Sequence, residues 1–285
     1  MTEYYYHMAG IRYRFLIPAE CSWDTIRTLS AYEAQPGPWD VECVLSTPEE
    51  LSSPEGELCY HSPSMQVYRS GDVEISYYGS VAPSLEEAYL RIQRQGNKSL
   101  IELKKYSFPK GLTDDVILTS MQLLHRITQT GGFLLHASWI RYQDKAILFT
   151  GPSGIGKSTQ AALWVKYRGA ELINGDRVAI FPTARGIEVR GIPYCGSSGV
   201  NKNQTMPLAA VVSLSQASEN TITRLPGVKA FRQIWEGCSV NLWNQSDIDK
   251  STQAVVDTVA AVPVFHLACT PDERAVKMLE KEGLF

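Results

Sequence analysis

The chain has no run of about eighteen apolar residues, and no basic amino-terminal segment leading into a continuous apolar one. Nothing in it reads as a membrane span or a secretory leader, and a cytoplasmic protein is expected. It has little excess charge: 27 Lys plus Arg stand against 30 Asp plus Glu, for a net charge of −3. That balance excludes the broad basic footprint of a nucleic-acid or anionic-membrane binder. The six cysteines (Cys21, Cys43, Cys59, Cys195, Cys238 and Cys269) form no C-x-x-C pair and have no His at zinc-ligand spacing, so reduced thiols are expected. Internal repeats and long low-complexity tracts are also missing. What is present is a 285-residue chain, 44% hydrophobic and 20% charged, suited to a globular protein of one or two domains.

Two patterns follow one another along it. In GIRYRFLIP, Ile11, Tyr13 and Phe15 fall on one side and Arg12 and Arg14 on the other, the alternation of a half-buried strand. MQVYRSGDVEISYYG predicts a hairpin turning around Ser70, Gly71 and Asp72, and YLRIQRQGNKSLIELKK another at Gly96 and Asn97. STPEELSSPEGELCYHSPS, rich in Ser, Pro and Glu, predicts a long surface loop. FPKG at 108–111 then punctuates the chain. Beyond it, TDDVILTSMQLLHRITQTGG predicts one helix running from an N-cap at Thr113, with Asp114 and Asp115 in its first turn, to Gly131 and Gly132. FLLHAS, KAILFT, AELIN, RVAIFPT, IEVRGIP and AAVVSLSQ read as strands; TQAALWVKYR, PGVKAFRQIWEG and DIDKSTQAVVDTVA read as helices. The last segment reads as a buried strand and a helix opened by a capping box of Thr270, Pro271 and Glu273. The organisation predicted is a smaller β-rich accessory domain over 1–112, binding a partner or substrate, and an α/β domain over 113–285.

The second domain holds GPSGIGKST, in which Gly151, Gly156, Lys157 and Ser158 satisfy G-x-x-x-x-G-K-[ST] between an apolar strand and an amphipathic helix. In that setting Gly151, Ser153, Gly154, Ile155, Gly156, Lys157, Ser158 and Thr159 can cradle phosphates with backbone N–H groups and a helix N-terminus. Lys157 would neutralise the β and γ oxygens and the Ser158 hydroxyl would ligate Mg²⁺. Further on, the strand in ELINGDRVAI ends at Gly175 and Asp176, where a carboxylate can complete the metal site. The bland alternatives are a glycine-rich turn without a ligand and a Gly-Asp turn between strands. His125 and His266 each lie on an apolar stretch and read as packing residues.

LLHASWIRYQDKAILFTGPSGIGKST, NGDRVAI and IEVRGIPYCGSSG, taken in order, resemble the catalytic domain of HPr serine kinase/phosphorylase. More closely they resemble the bacterial HPr-kinase-related proteins labelled phosphoenolpyruvate-carboxykinase-like, over about residues 130–280. The resemblance implies a P-loop nucleotide-binding α/β fold with ATP and Mg²⁺. It also implies catalytic roles for Lys157, Asp176 and His136, metal binding by Ser158, Asp176 and Glu188, and Arg190 as a phosphate clamp. An ATP-dependent kinase acting on a hydroxyl is expected, the acceptor being a serine of a protein or peptide or a small-molecule alcohol; the glycine-punctuated loop 191–203, with Lys202, would lie near it. A homo-oligomer is implied, with no nucleic-acid or membrane partner. One departure stands out: that family carries two consecutive acids where this chain has Gly175 and Asp176. With the first acid missing, Asp176 or His136 must serve as base, and a non-catalytic ATP-binding module becomes the main alternative. Carboxykinase chemistry is a further one, for which the chain is short.

Overall fold

The computed structural model describes residues 1–21, 28–80, 84–105 and 112–283; the FPKG break at 108–111 lies outside them. The chain is a mixed α/β protein that divides into two units, Met1–Leu123 and Leu124–Phe285.

In the first unit the strands are β1 (Thr2–Met8), β2 (Ile11–Ile17), β3 (Val41–Ser46), β4 (Glu57–Ser62), β5 (Met65–Ser70), β6 (Val73–Ser80), β7 (Glu87–Gln95) and β8 (Lys98–Leu103). They form one sheet in the order β1-β2-β3-β8-β7-β6-β5-β4. The alternation in β2 buries Ile11, Tyr13, Phe15 and Ile17. Both hairpins turn where expected, with Ser70 opposite Val73 and Gln95 opposite Lys98. Two expectations are corrected. β4 runs through the segment expected to be loop; it is an edge strand with mostly exposed side chains, so no apolar alternation marks it. The single helix expected after Thr113 is two, α1 (Asp114–Met121) and α2 (Leu123–Gln129), because Gln122 between them takes left-handed backbone with φ of 48°. Thr113 does cap α1, its hydroxyl accepting the Val116 N–H. α1 belongs with the first unit: Asp114 accepts the Thr28 hydroxyl at 2.6 Å, and the Tyr13 hydroxyl donates to the Met121 carbonyl at 3.4 Å. The division therefore falls at 123/124, later in the chain than the helix cap suggests.

The second unit contains strands β9 (Phe133–Tyr142), β10 (Lys145–Thr150), β11 (Glu171–Asn174), β12 (Arg177–Thr183), β13 (Gly186–Arg190), β14 (Thr205–Gln216), β15 (Thr221–Arg224), β16 (Cys238–Ser239) and β17 (Val264–Cys269). Its helices are α2, α3 (Lys157–Arg168), α4 (Gly227–Trp235), α5 (Gln245–Ala261) and α6 (Glu273–Glu280). Because β10 pairs with β9 and also with β14, the strands β10, β9, β12, β13 and β14 close into a small barrel, extended beyond β14 by β17 and β15. Trp164 of α3 and Val276 and Leu279 of α6 pack on one side of these strands; Ile234 of α4 and Val255 of α5 pack into the other core. β10, β14 and β17 run parallel and are covered on both faces, so they read as continuous apolar runs rather than alternating ones. The capping of α6 is corrected: Asp272 is its N-cap, accepting the Arg274 N–H at 2.8 Å, and Thr270 only steadies it by donating to that carboxylate. None of the six cysteines is in a disulfide. Among the described residues no helix is long and apolar enough to cross a membrane.

Candidate functional site

β10 brings the chain to the glycine loop at Thr150 and α3 takes it away at Lys157. Gly151, Gly154 and Gly156 all have positive φ; at Gly156, with φ of 114°, an L side chain would be strained, so the sharp entry into the helix needs glycine. α3 starts without a side-chain cap, and its first N–H groups have no intrahelical acceptor, an arrangement that suits an anion. Ser153, Gly154, Ser158 and Thr159 are exposed around this turn, while Ile155 tucks against the core that holds Trp164. Lys157 is buried, its ammonium curled over the loop to donate to the carbonyls of Gly151 at 2.9 Å and Pro152 at 3.1 Å.

Neighbouring strands bring in the remaining side chains. The Thr150 hydroxyl donates to the backbone carbonyl of His136, which sits on β9 opposite Arg177 of β12. Asp176 immediately precedes β12 in a turn built by Asn174. The fully buried Asn174 accepts the N–H groups of Asp176 at 2.8 Å and Arg177 at 3.1 Å, and donates to the carbonyls of Ile192 and Tyr194. This is the asparagine-mimicked turn that N-G-D permits. It leaves Asp176 Oδ1 3.4 Å from His136 Nε2 and Oδ2 3.8 Å from Arg177 Nε. Lys157 is near enough for its charge to act on His136 and for the charge of Asp176 to act on it. His136 and Asp176 thus meet near the Gly151 end of the loop, within reach of the Lys157 charge.

Residues 111–281, more than half of the chain, match the family model described as SynChlorMet cassette protein ScmC. The chain belongs to the ScmC family. That model is a different one from the HPr kinase family its motifs resemble. No curated protein matches the chain. Among solved structures it is similar to the Hpr(Ser) kinase/phosphatase from Coxiella burnetii, with 13% identity and a TM-score of 0.31, over 53% of this chain and 90% of that one. A likeness that weak bears on neither fold nor activity.

Burial and charge act together around the loop of this ScmC-family chain. Burial, then the nearby Lys157 charge, lowers the pKa of His136, with Arg177 adding and Asp176 opposing. Its imidazole is therefore neutral at pH 7, below which the ordinary value of about 6.5 already lies. Burial also lowers Lys157, again opposed by Asp176. Two cavities border the loop. One, of about 390 Å³, opens beside His136, Gly151, Arg177 and Glu236. The other, of about 420 Å³, lies beside Gly154, Thr159 and Gln160. In the first, burial pushes the Cys238 thiol up to about 12, which leaves it protonated and inert.

Some side chains expected near the loop stand elsewhere. Glu188 lies opposite Phe181, four residues along β12 from Arg177 and so about 13 Å away, and its carboxylate is held by Arg190 at 2.9 Å. Arg190 is itself stacked over the Phe181 ring, so the alternation in IEVRG serves the barrel wall. Lys202 pairs with Glu171, which also binds Arg141. His125 and His266, expected in packing roles, are both hydrogen-bonded: His125 to Asp247, and His266 to Ser213 and Ser215. Asn174, Arg177 and Gln160 were not anticipated; only Asn174 carries a local signal, its place before Gly-Asp. Among the described residues no three His, Cys, Asp or Glu side chains gather as a metal cage. Mg²⁺ is commonly held by one or two carboxylates with phosphate oxygens and water, and does not require such a cage.

Proposed function

We propose that the chain is an ATP- and Mg²⁺-dependent phosphotransferase acting on a hydroxyl acceptor, a serine of a protein or peptide or a small-molecule alcohol. The observation that carries this reading is the meeting of His136 and Asp176 near the Gly151 end of a glycine loop that opens a helix, within reach of the Lys157 charge. Lys157 and the N-terminal amides of α3 would hold the phosphates, and Ser158 and Asp176 the metal. ATP would supply the transferable phosphoryl group, and Mg²⁺ would neutralise charge on its oxygens. The acceptor enters the cavity beside His136, whose neutral ring takes the hydroxyl proton as the new O–P bond forms and the bond to the leaving oxygen breaks. Asp176 Oδ1, 3.4 Å from Nε2, would favour the positive charge that the ring takes on with the proton.

The test is transfer of label from γ-labelled ATP to candidate acceptors. Lys157→Ala and Asp176→Ala should each reduce it by about 10²-fold or more; variants as active as the native chain would overturn the assignment. A second reading, a nucleotide-binding module without transfer, is favoured by Gly175. A Cβ there would lie 2.2 Å from Ser198 Oγ and 2.5 Å from Ser198 Cβ, so the position has no room for an acid. Tight MgATP binding without turnover across a wide acceptor screen would select it.

A further inference from the structure

The cavity beside His136 holds a guanidinium whose donors are not all used. Arg177 stands directly opposite His136 in the pairing of β12 with β9, and both residues line the cavity of about 390 Å³. Arg177 Nη1 donates to Ser239 Oγ at 3.3 Å, and its Cζ lies over the Tyr194 ring, 5.6 Å from the centroid. The Asp176 carboxylate is 3.8 Å from Nε, a charge contact too long for a hydrogen bond. Among the described residues Nη2 therefore has no acceptor, and the side chain is 42% exposed, so that edge is open to a ligand. Glu236, the other charged side chain of the lining, is already held by Arg232 at 2.8 Å. The cavity thus presents a cation steadied by Ser239 and Tyr194 and open on its remaining edge.

We propose that Arg177 selects the acceptor, a small hydroxy acid with its carboxylate on the open guanidinium edge and its hydroxyl at His136. The proposal rests on the transfer reading above and narrows its acceptor. A guanidinium matches a carboxylate through paired N–H donors, and an uncharged alcohol leaves those donors unused. Spacing narrows the class further. Side chains directly opposite on antiparallel strands start from Cβ atoms about 5 Å apart on one face, so a molecule that touches both has its hydroxyl only a few bonds from its carboxylate. α- and β-hydroxy acids meet that condition. A serine inside a peptide does not, because its carbonyl is tied up in a neutral amide. The transfer step is unchanged: the acceptor oxygen bonds to the γ-phosphorus, ADP leaves, and the hydroxyl proton goes to His136.

Two probes that differ only in charge test this on the full chain: N-acetyl-L-serine, which keeps its carboxylate, and N-acetyl-L-serinamide, which does not. Their binding is measured by calorimetry with and without magnesium and a non-hydrolysable ATP analogue, and their phosphorylation with γ-labelled ATP. The acid should bind about tenfold or more tightly than the amide and be the better acceptor by a similar factor. Arg177→Met should remove that preference, and Arg177→Lys should keep part of it. Equal affinities for the pair, or binding of neither, would overturn the hydroxy-acid site; label reaching an uncharged alcohol would then leave the transfer reading standing. A preference that persists in an Arg177→Met chain that unfolds as sharply as the native one would also overturn it. Acid bound through Arg177 without label reaching any acceptor would overturn the transfer reading and the acceptor role with it. The matched pair is read on the native chain, so the comparison holds even where Arg177→Met folds poorly.

Discussion

Asp176 is held between the imidazole of His136 and the short turn Gly196–Ser198, which packs against it closely enough that a Cβ on Gly196 would lie 2.9 Å from the Asp176 Cβ. The same turn fills the space beside Gly175. Gly175→Asp should therefore destabilise the chain by about 1–3 kcal/mol through overpacking, with Ser198→Gly recovering part of the loss when the two are combined. Thermal unfolding of the two single variants and the double checks this, and strictly additive effects would contradict it. His136 sets the pH behaviour. Its lowered pKa means that the unfolded chain takes up the proton first, so stability falls as pH drops below about 6.5, while the neutral ring is retained for transfer at and above that pH. The transfer rate should fall on the acid side, and His136→Asn should lower it by about 10²- to 10⁴-fold and remove that limb of the profile. An acid limb unchanged in His136→Asn would give the base role to another group. The strand–loop–helix setting of GPSGIGKST and the strand-end position of Asp176 were legible in the sequence, because both rest on local patterns. The neighbours of Gln160 and Arg177 were not, because each meets them across elements, and the alternation in IEVRG, common to any half-exposed strand, does not tell that Glu188 is held by Arg190.

The clasp between α2 and α5 shows what element-level patterns hide. Asp247, fully buried in the first turn of α5, accepts Gln129 Nε2 at 2.6 Å, Asn241 Nδ2 at 2.8 Å and His125 Nδ1 at 3.0 Å. Burial pushes its pKa up, but the hydrogen bonds from His125, Asn241 and Gln129 outweigh that and hold it below the usual carboxylate range. The clasp is therefore intact at neutral pH and is lost as acid protonates Asp247, below the unfolded value of about 3.9. Asp247→Ala leaves the buried His125 and Asn241 and the half-buried Gln129 without this acceptor and should cost about 2–4 kcal/mol, read as a lowered denaturant midpoint. A change under about 0.5 kcal/mol would show that water replaces the carboxylate. Periodicity predicted the parallel strands β10, β14 and β17, because burial on both faces writes a continuous apolar run. It missed β4, whose exposed edge position writes no pattern, and the break at Gln122, where no glycine announces the left-handed residue.

The residues of the candidate site all lie in the unit Leu124–Phe285, within the segment 111–281 that matches the ScmC model. A chain of residues 124–285 alone is thus expected to bind MgATP within about threefold of the full chain by calorimetry. A loss of more than about tenfold would assign part of the binding to Met1–Leu123. The extent of the second unit was less legible than its motifs, because α1 carries a helix cap in sequence yet packs its ends on Thr28 and Tyr13. The two cavities touch different parts of the glycine loop, one Gly151 and Pro152 and the other Gly154 to Thr159, and for the proposed transfer this has a kinetic consequence. With separate doors, nucleotide and acceptor need not take turns in one space, and no phosphoryl-enzyme has to carry the group between them. Turnover should pass through a ternary complex reached in either order. Initial rates at varied ATP and acceptor should give intersecting reciprocal plots, and parallel lines would mean that the two substrates share a single door.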